Sequence, residues 1–176
     1  MNEITAKILY FLQEIGLVYH LERIEETTLL PGIQLRNGTL IIDIEKLLYP
    51  GDILHEAGHL ACMPSDIRRT MSGDLEDIDL HRGGEMMAIA WSYAASRYLN
   101  INPEIIFHEH GYRNGSQSII DNFNNENTFG VPLLQWSEMC YDNKNAVLLN
   151  TKPFPEMITW MCSINKYETT ILQTTK

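Results

Sequence analysis

Two histidines and a glutamate at residues 55–59 are the part of the sequence best suited to chemistry. The segment is HEAGH, so His55 and His59 are four positions apart. On a helix this spacing places both imidazoles on one face, where their ring nitrogens can bind one ion. Glu56 would lie beside that ion, where its carboxylate can accept a proton from an attacking water. The motif predicts zinc, since two imidazoles and one carboxylate leave a fourth tetrahedral position for water.

The same pattern can arise by chance on a helix, with two histidines that merely flank its surface. The neighbouring residues favour a metal site. Leu54, Ala57 and Ala61 are apolar or small and would bury the helix, and buried histidines beside a glutamate need polar or ionic partners. Gly58 costs about 1 kcal/mol relative to alanine in a helix interior. That cost is understandable if another backbone or a substrate must approach closely.

A third protein ligand has to come from outside the motif. The metzincin arrangement is excluded, because the position six residues after His59 is Ser65 rather than histidine. Glu85 is predicted to open the next helix, which could deliver its carboxylate to the same ion. Asp79 and His81 are the alternatives. An acid placed favourably at a helix N-terminus is the interpretation of Glu85 that needs no metal.

Hydrolysis of a carbonyl compound also requires a donor that stabilises the oxyanion. A dense polar run offers four candidates, namely His108, His110, Tyr112 and Arg113. His108 and Tyr112 are four positions apart and could line a cleft together. A solvated helix end is the simpler alternative for this run.

The elements that position these residues follow from the apolar pattern. Helical spacing predicts a first helix that stops at Gly16, with its apolar face formed by Ile4, Ile8, Phe11, Leu12 and Ile15. Asn37-Gly38 lies between two apolar runs and predicts an antiparallel hairpin. The HEAGH helix follows, with Asp52 as a possible N-cap. Residues 64–82 are expected to form a long connecting loop.

The second half of the chain is expected to be largely helical. A buried helix is predicted over residues 85–99 and a shorter one over 103–110, ended by Gly111. Residues 114–127 are rich in Asn, Ser and Gly, which predicts a loop over much of this stretch. Residues 132–141 and 155–162 each begin with proline and have helical spacing. No internal boundary is visible, so residues 1–176 are expected to form one domain.

Charge and composition exclude several classes of partner. The net charge is −10, from 13 basic and 23 acidic residues, which disfavours nucleic acid. No apolar stretch reaches the about 20 residues that cross a bilayer, and the acidic start Met1-Asn2-Glu3 is unlike a secretory signal. The three cysteines lack paired spacing and are expected to be buried thiols in a reducing compartment. These features predict a cytoplasmic protein without a transmembrane segment.

The sequence resembles the gluzincin branch of the zincin metalloproteases, and within it the small ImmA/IrrE-type metallopeptidase domains. The resemblance rests on HEAGH at 55–59 and on the pattern ExxAxxxxxAA at 85–95. It extends over roughly residues 32–99. It implies a cytoplasmic zinc-dependent peptidase, often acting on a regulatory protein, with an edge strand above the HExxH helix that can pair with an extended peptide.

Together, the residues and the resemblance predict an α+β, zincin-like fold, mainly helical, with a small antiparallel sheet next to the HExxH helix. The expected function is hydrolysis of a peptide or amide bond in a peptide or protein substrate. One Zn²⁺ per chain would be bound by His55, His59 and Glu85. Glu56 would activate the water, and His108, His110 or Tyr112 would stabilise the oxyanion. The rival hypothesis is a non-catalytic, metal-stabilised module that binds a protein or peptide, although the intact Glu56 argues against it.

Overall fold

The fold was analysed in a computed structural model, which describes residues 1–73, 79–112 and 115–163. The side chains of residues 79–82 are also outside the description. The described part is α+β and consists mostly of helices around one hydrophobic cluster, together with a three-stranded sheet.

The first helix, α1 (Glu3–Glu14), forms as its apolar spacing predicted. The Asn2 side chain caps it by accepting a hydrogen bond from the backbone N–H of Thr5. Ile8, Phe11 and Leu12 are fully buried on one face. Gly16 follows the helix with a φ of +76°, a conformation that glycine adopts without steric cost.

The sheet contains β1 (Tyr19–Leu21), β2 (Ile33–Arg36) and β3 (Thr39–Ile42) in the order β1-β3-β2. The hairpin of β2 and β3 is antiparallel, as predicted, and its turn residues Asn37 and Gly38 both have positive φ. The sheet as a whole is mixed, because β1 pairs with β3 in parallel. The buried Asp43 carboxylate accepts the backbone N–H of Ile24 and so fixes the segment that returns from β1.

Helix α2 (Pro50–Ala61) carries the HEAGH motif. It begins after Tyr49 with Pro50 in its first turn, so the prediction of Asp52 as N-cap was wrong: Asp52 lies inside the first turn and is buried. A short helix, α3 (Ser65–Arg68), then interrupts the predicted long loop. The connection predicted over residues 64–82 is also shorter than expected, because the next helix already begins at residue 79.

That helix, α4 (Asp79–Tyr98), packs against α2. The prediction that Glu85 opens this helix was wrong. Glu85 lies in the second turn, and Gly83 and Gly84 before it are helical. Two glycines weaken a helix by about 1 kcal/mol each without forbidding it. The expected close approach at Gly58 is confirmed, because a Cβ placed there would lie 3.0 Å from the carbonyl oxygen of Ala88.

The remaining helices are short: α5 (Pro103–Ile106), α6 (Ser116–Asn124), α7 (Val131–Trp136) and α8 (Asn143–Leu148). The helix predicted over 103–110 is only one turn long. The loop prediction for 114–127 was wrong over α6, where Ile120 and Phe123 are buried and stabilise a helix despite its polar composition. Residues 155–162 are not helical. Instead, this segment packs on the core. The backbone carbonyl of Trp160, for example, accepts a hydrogen bond from the indole N–H of Trp91.

Trp91 is fully buried on α4, at the centre of the core. Phe11 and Trp160 pack around its ring, with centroid distances of 5.9 Å and 5.6 Å. The cysteines are buried and free, as predicted; they are Cys62, Cys140 and Cys162. Within the described residues, no helix combines the length and the apolar character needed to cross a membrane.

Gly51 provides a test of the packing that positions the start of α2. A Cβ at this buried position would collide with the carbonyl oxygen of Ile105 and the Cα of Ile106. We expect Gly51→Ala to lower the free energy of unfolding by at least about 1–3 kcal/mol, as over-packing typically does, measured by urea denaturation. Gly83→Ala is the control, because its Cβ would meet only the Leu133 side chain at 3.8 Å. Equal stability of Gly51→Ala and the parent would contradict this packing.

Candidate metal centre

Two neighbouring helices bring together three side chains of the types that bind metal ions. His55 and His59 lie one turn apart on α2 and are buried, and their Nε2 atoms are 3.1 Å apart. Glu85 reaches them from α4: its Oε2 is 3.1 Å from Nε2 of His59 and 3.6 Å from Nε2 of His55. These three residues form a group that could hold a metal ion.

The close packing of α2 and α4 explains why Glu85 reaches the histidines. Gly58 precedes His59 on α2, and Ala88 lies about one turn after Glu85 on α4. Because Gly58 has no Cβ, the backbone of Ala88 comes near its Cα. The Ser92 hydroxyl is buried between the helices, where it donates to the carbonyl of Ala88 and lies 3.4 Å from that of Leu54. The short distance between the helices thus sets the reach of the carboxylate.

The donor set fits zinc in both type and spacing. A tetrahedral zinc ion has bonds of about 2.0–2.1 Å, which separates its donor atoms by about 3.3 Å. The three observed separations, 3.1, 3.1 and 3.6 Å, lie on either side of this value. Two imidazole nitrogens and one carboxylate oxygen would leave a fourth coordination position open to water.

The charges in this group stabilise one another. Burial alone would raise the pKa of Glu85, but hydrogen bonds from His55 and His59 and their charges hold it well below its usual range. Burial alone would lower the pKa of His55. The hydrogen bond to Glu85 and the charges of the nearby carboxylates outweigh this effect, so the pKa of His55 is raised. Glu85 is therefore ionised at neutral pH, as a metal ligand must be.

Glu56 lies on α2 next to His55 and is partly exposed. Its charge contributes to the raised pKa of His55, so the carboxylate is close enough to act electrostatically on the group. This location is compatible with the role of general base predicted for it.

Tyr112 contacts the first histidine of the motif. Its hydroxyl oxygen is 2.9 Å from Nδ1 of His55, the ring nitrogen on the opposite side from Glu85. The two rings are perpendicular, with centroids 5.4 Å apart. Burial raises the pKa of Tyr112 well above its usual range, and the nearby carboxylates raise it further. The phenol is therefore neutral.

His108 contacts the first turn of α2 instead of the group formed by His55, His59 and Glu85. Its Nε2 lies 2.9 Å from Oδ1 of Asp52, and its ring stacks on Tyr49 at a centroid distance of 3.8 Å. Burial raises the pKa of Asp52 despite this hydrogen bond and the charge of His108. Nδ1 of His108 is buried without a hydrogen-bond partner among the described residues.

The predicted oxyanion donors are thus in three different environments. His108 is paired with Asp52, Tyr112 is paired with His55, and the His110 side chain is 63% exposed beside Glu109. Arg113 is outside the described residues, as are the side chains of Asp79 and His81. The donor role of each stays a prediction.

The contribution of Asp52 to this region was not predicted from the sequence. Its spacing of three and four residues from His55 and Glu56 places it on the same helix face as the motif. That spacing was the available signal, but a Pro-Gly pair before an acid also suggested a helix cap.

Comparison of the chain with protein-family models, with curated proteins and with solved structures found no significant match. The resemblance to gluzincins therefore stays a prediction from the sequence motifs.

The pKa shifts predict how pH affects the metal-free protein. Because the pKa of Glu85 is lowered in the folded state, its ionisation stabilises the fold fully above the unfolded pKa of about 4.3. This stabilisation is lost as pH falls through the folded pKa. Because the pKa of His55 is raised in the folded state, its protonation stabilises the fold fully below the unfolded pKa of about 6.5. This stabilisation is lost as pH rises through the folded pKa. We expect the difference in free energy of unfolding between the parent and Glu85→Gln to be largest between the two unfolded pKa values, about 4.3 and 6.5. Chemical denaturation across pH measures it, and a difference that grows steadily above neutral pH would contradict the pairing.

Proposed function

We propose that this protein is a zinc-dependent hydrolase that cleaves a peptide or amide bond. The observation that carries the proposal is the convergence of His55, His59 and Glu85 with spacings suited to a tetrahedral ion. The motif glutamate, Glu56, lies beside this group on the same helix. These are the components of metal-assisted hydrolysis: a three-ligand site, an adjacent base and an open coordination position.

Each residue has a separate role in the proposed reaction. His55 and His59 bind the ion as neutral imidazoles through Nε2, and Glu85 binds as an ionised carboxylate. Zinc bound in this way polarises a carbonyl and lowers the pKa of water to near neutrality. Glu56 accepts the proton of the attacking water at its carboxylate and can return it to the leaving amine.

The choice of a peptide bond rests on the sequence resemblance to gluzincins, which is an argument by analogy. The edge strands β1 and β2 flank β3 in the sheet, and strand addition to one of them would hold an extended substrate, as the resemblance implies. The alternative function, a metal-stabilised binding module, would need the same three ligands but not Glu56.

Glu56→Gln separates metal binding from catalysis. Glutamine keeps the size of the side chain but cannot accept the proton, and Glu56 is not one of the three proposed ligands. We expect unchanged zinc content and a loss of about 10²–10⁴-fold in turnover. Turnover is measured with a library of fluorescence-quenched peptides, from which the best substrate of the parent is selected.

Glu14→Gln is the matched control, since it makes the same change at an exposed position on α1. It should retain full turnover. A Glu56→Gln protein that cleaves as fast as the parent would refute the proposed role of Glu56. A zinc-loaded parent that binds library peptides without cleaving any would favour the binding module.

A further inference from the structure

The contact between Tyr112 and His55 bears on the form of the imidazole that can bind an ion. A neutral imidazole carries its proton on either Nδ1 or Nε2, and a metal binds only the nitrogen without the proton. Nε2 of His55 faces His59 and Glu85. To bind an ion through Nε2, the ring must carry its proton on Nδ1, which lies 2.9 Å from the Tyr112 hydroxyl oxygen.

The surroundings of Tyr112 hold its hydroxyl at this position. Its φ is +41°, an uncommon conformation for a residue with a large side chain, which indicates that the surrounding packing determines it. Phe107 packs across the ring at a centroid distance of 5.3 Å. The backbone carbonyl of Tyr112 accepts the N–H of Gly115. The side chain thus has little freedom to leave His55.

A second contact from the same segment fixes its position along α2. His108 bonds Asp52, one turn before His55, while Tyr112 bonds His55 itself. The His108 carbonyl also accepts a hydrogen bond from the hydroxyl of Ser116, at the start of α6. Residues 107–112 are therefore attached to α2 at two successive turns and to α6.

We propose that Tyr112 is a positioning residue for the metal centre: its hydroxyl oxygen accepts the Nδ1 proton of His55 and keeps Nε2 available to the ion. This inference rests on the proposed metal site. It gives Tyr112 a role different from oxyanion stabilisation, because the hydroxyl acts on the substrate only through the histidine. Partners of this kind orient a ligand ring, and their loss typically weakens metal binding about 10–100-fold.

The first test compares zinc affinity in the parent, Tyr112→Phe and Tyr93→Phe, by competition with a chromophoric chelator. Tyr112→Phe removes one oxygen and keeps the ring that packs against Phe107. Tyr93→Phe is the control, because Tyr93 is buried and its hydroxyl is near Asn124 instead of the histidines. We expect about 10–100-fold weaker zinc binding in Tyr112→Phe and unchanged binding in Tyr93→Phe.

The second test observes the Nδ1 proton of His55 directly in zinc-loaded protein, by ¹H–¹⁵N NMR. The signal is assigned by its loss in His55→Ala. We expect the parent to carry a proton on Nδ1 that exchanges slowly with water, and Tyr112→Phe to show faster exchange. A purely structural role for Tyr112 would not change this exchange rate.

The outcomes are distinguishable. Equal zinc affinity in the parent and Tyr112→Phe overturns the inference, as does a zinc-loaded parent whose His55 Nδ1 proton exchanges as fast as that of a free imidazole. The parent spectrum needs no Tyr112 variant, so it decides the matter even if Tyr112→Phe fails to fold. A parent that binds no zinc overturns the proposed function, whereas a parent that binds zinc no more tightly than Tyr112→Phe overturns only the inference.

Discussion

The close packing of α2 against α4 is the constraint on which the rest of the site depends. Gly58 allows the backbone of Ala88 to approach, and this fixes how far Glu85 extends towards the two histidines. Three polar side chains that would be unfavourable singly in this largely buried region are placed together, where each pairs with another. The same packing buries Trp91 and the small residues of α4 that form the centre of the core.

A second layer of polar contacts surrounds the group formed by His55, His59 and Glu85. Asp52, His55 and Glu56 follow one face of α2, and the segment of residues 107–112 binds that helix through His108 and Tyr112. These contacts link the orientation of His55 to residues far away in sequence. The proposed chemistry thus depends on two contacts made between elements: α4 supplies the third ligand, and the segment after α5 holds the first ligand in place.

Local patterns were sufficient to predict much of the fold and the residues of the candidate metal centre. The apolar spacing of α1, the Asn37-Gly38 turn and the spacing of His55 and His59 are short-range signals, and the structure agrees with each. Features that depend on tertiary contacts were not predictable in this way. The parallel pairing of β1 depends on a return segment fixed by Asp43. Helix α6 depends on burial of Ile120 and Phe123, and Tyr112 meets His55 only through packing of distant segments.

The most direct measurement of the central claim is the zinc content, by elemental analysis, of protein purified without added metal. Glu85 is the informative position, because a helix-capping or surface role would not affect metal content. We predict about one zinc per chain in the parent, none in His59→Ala or Glu85→Ala, and full zinc in Glu104→Ala, whose exposed carboxylate accepts a hydrogen bond from the side chain of Asn102 at the start of α5. A parent without zinc even after zinc is supplied, or full zinc retention in both ligand variants, would contradict the three-ligand site.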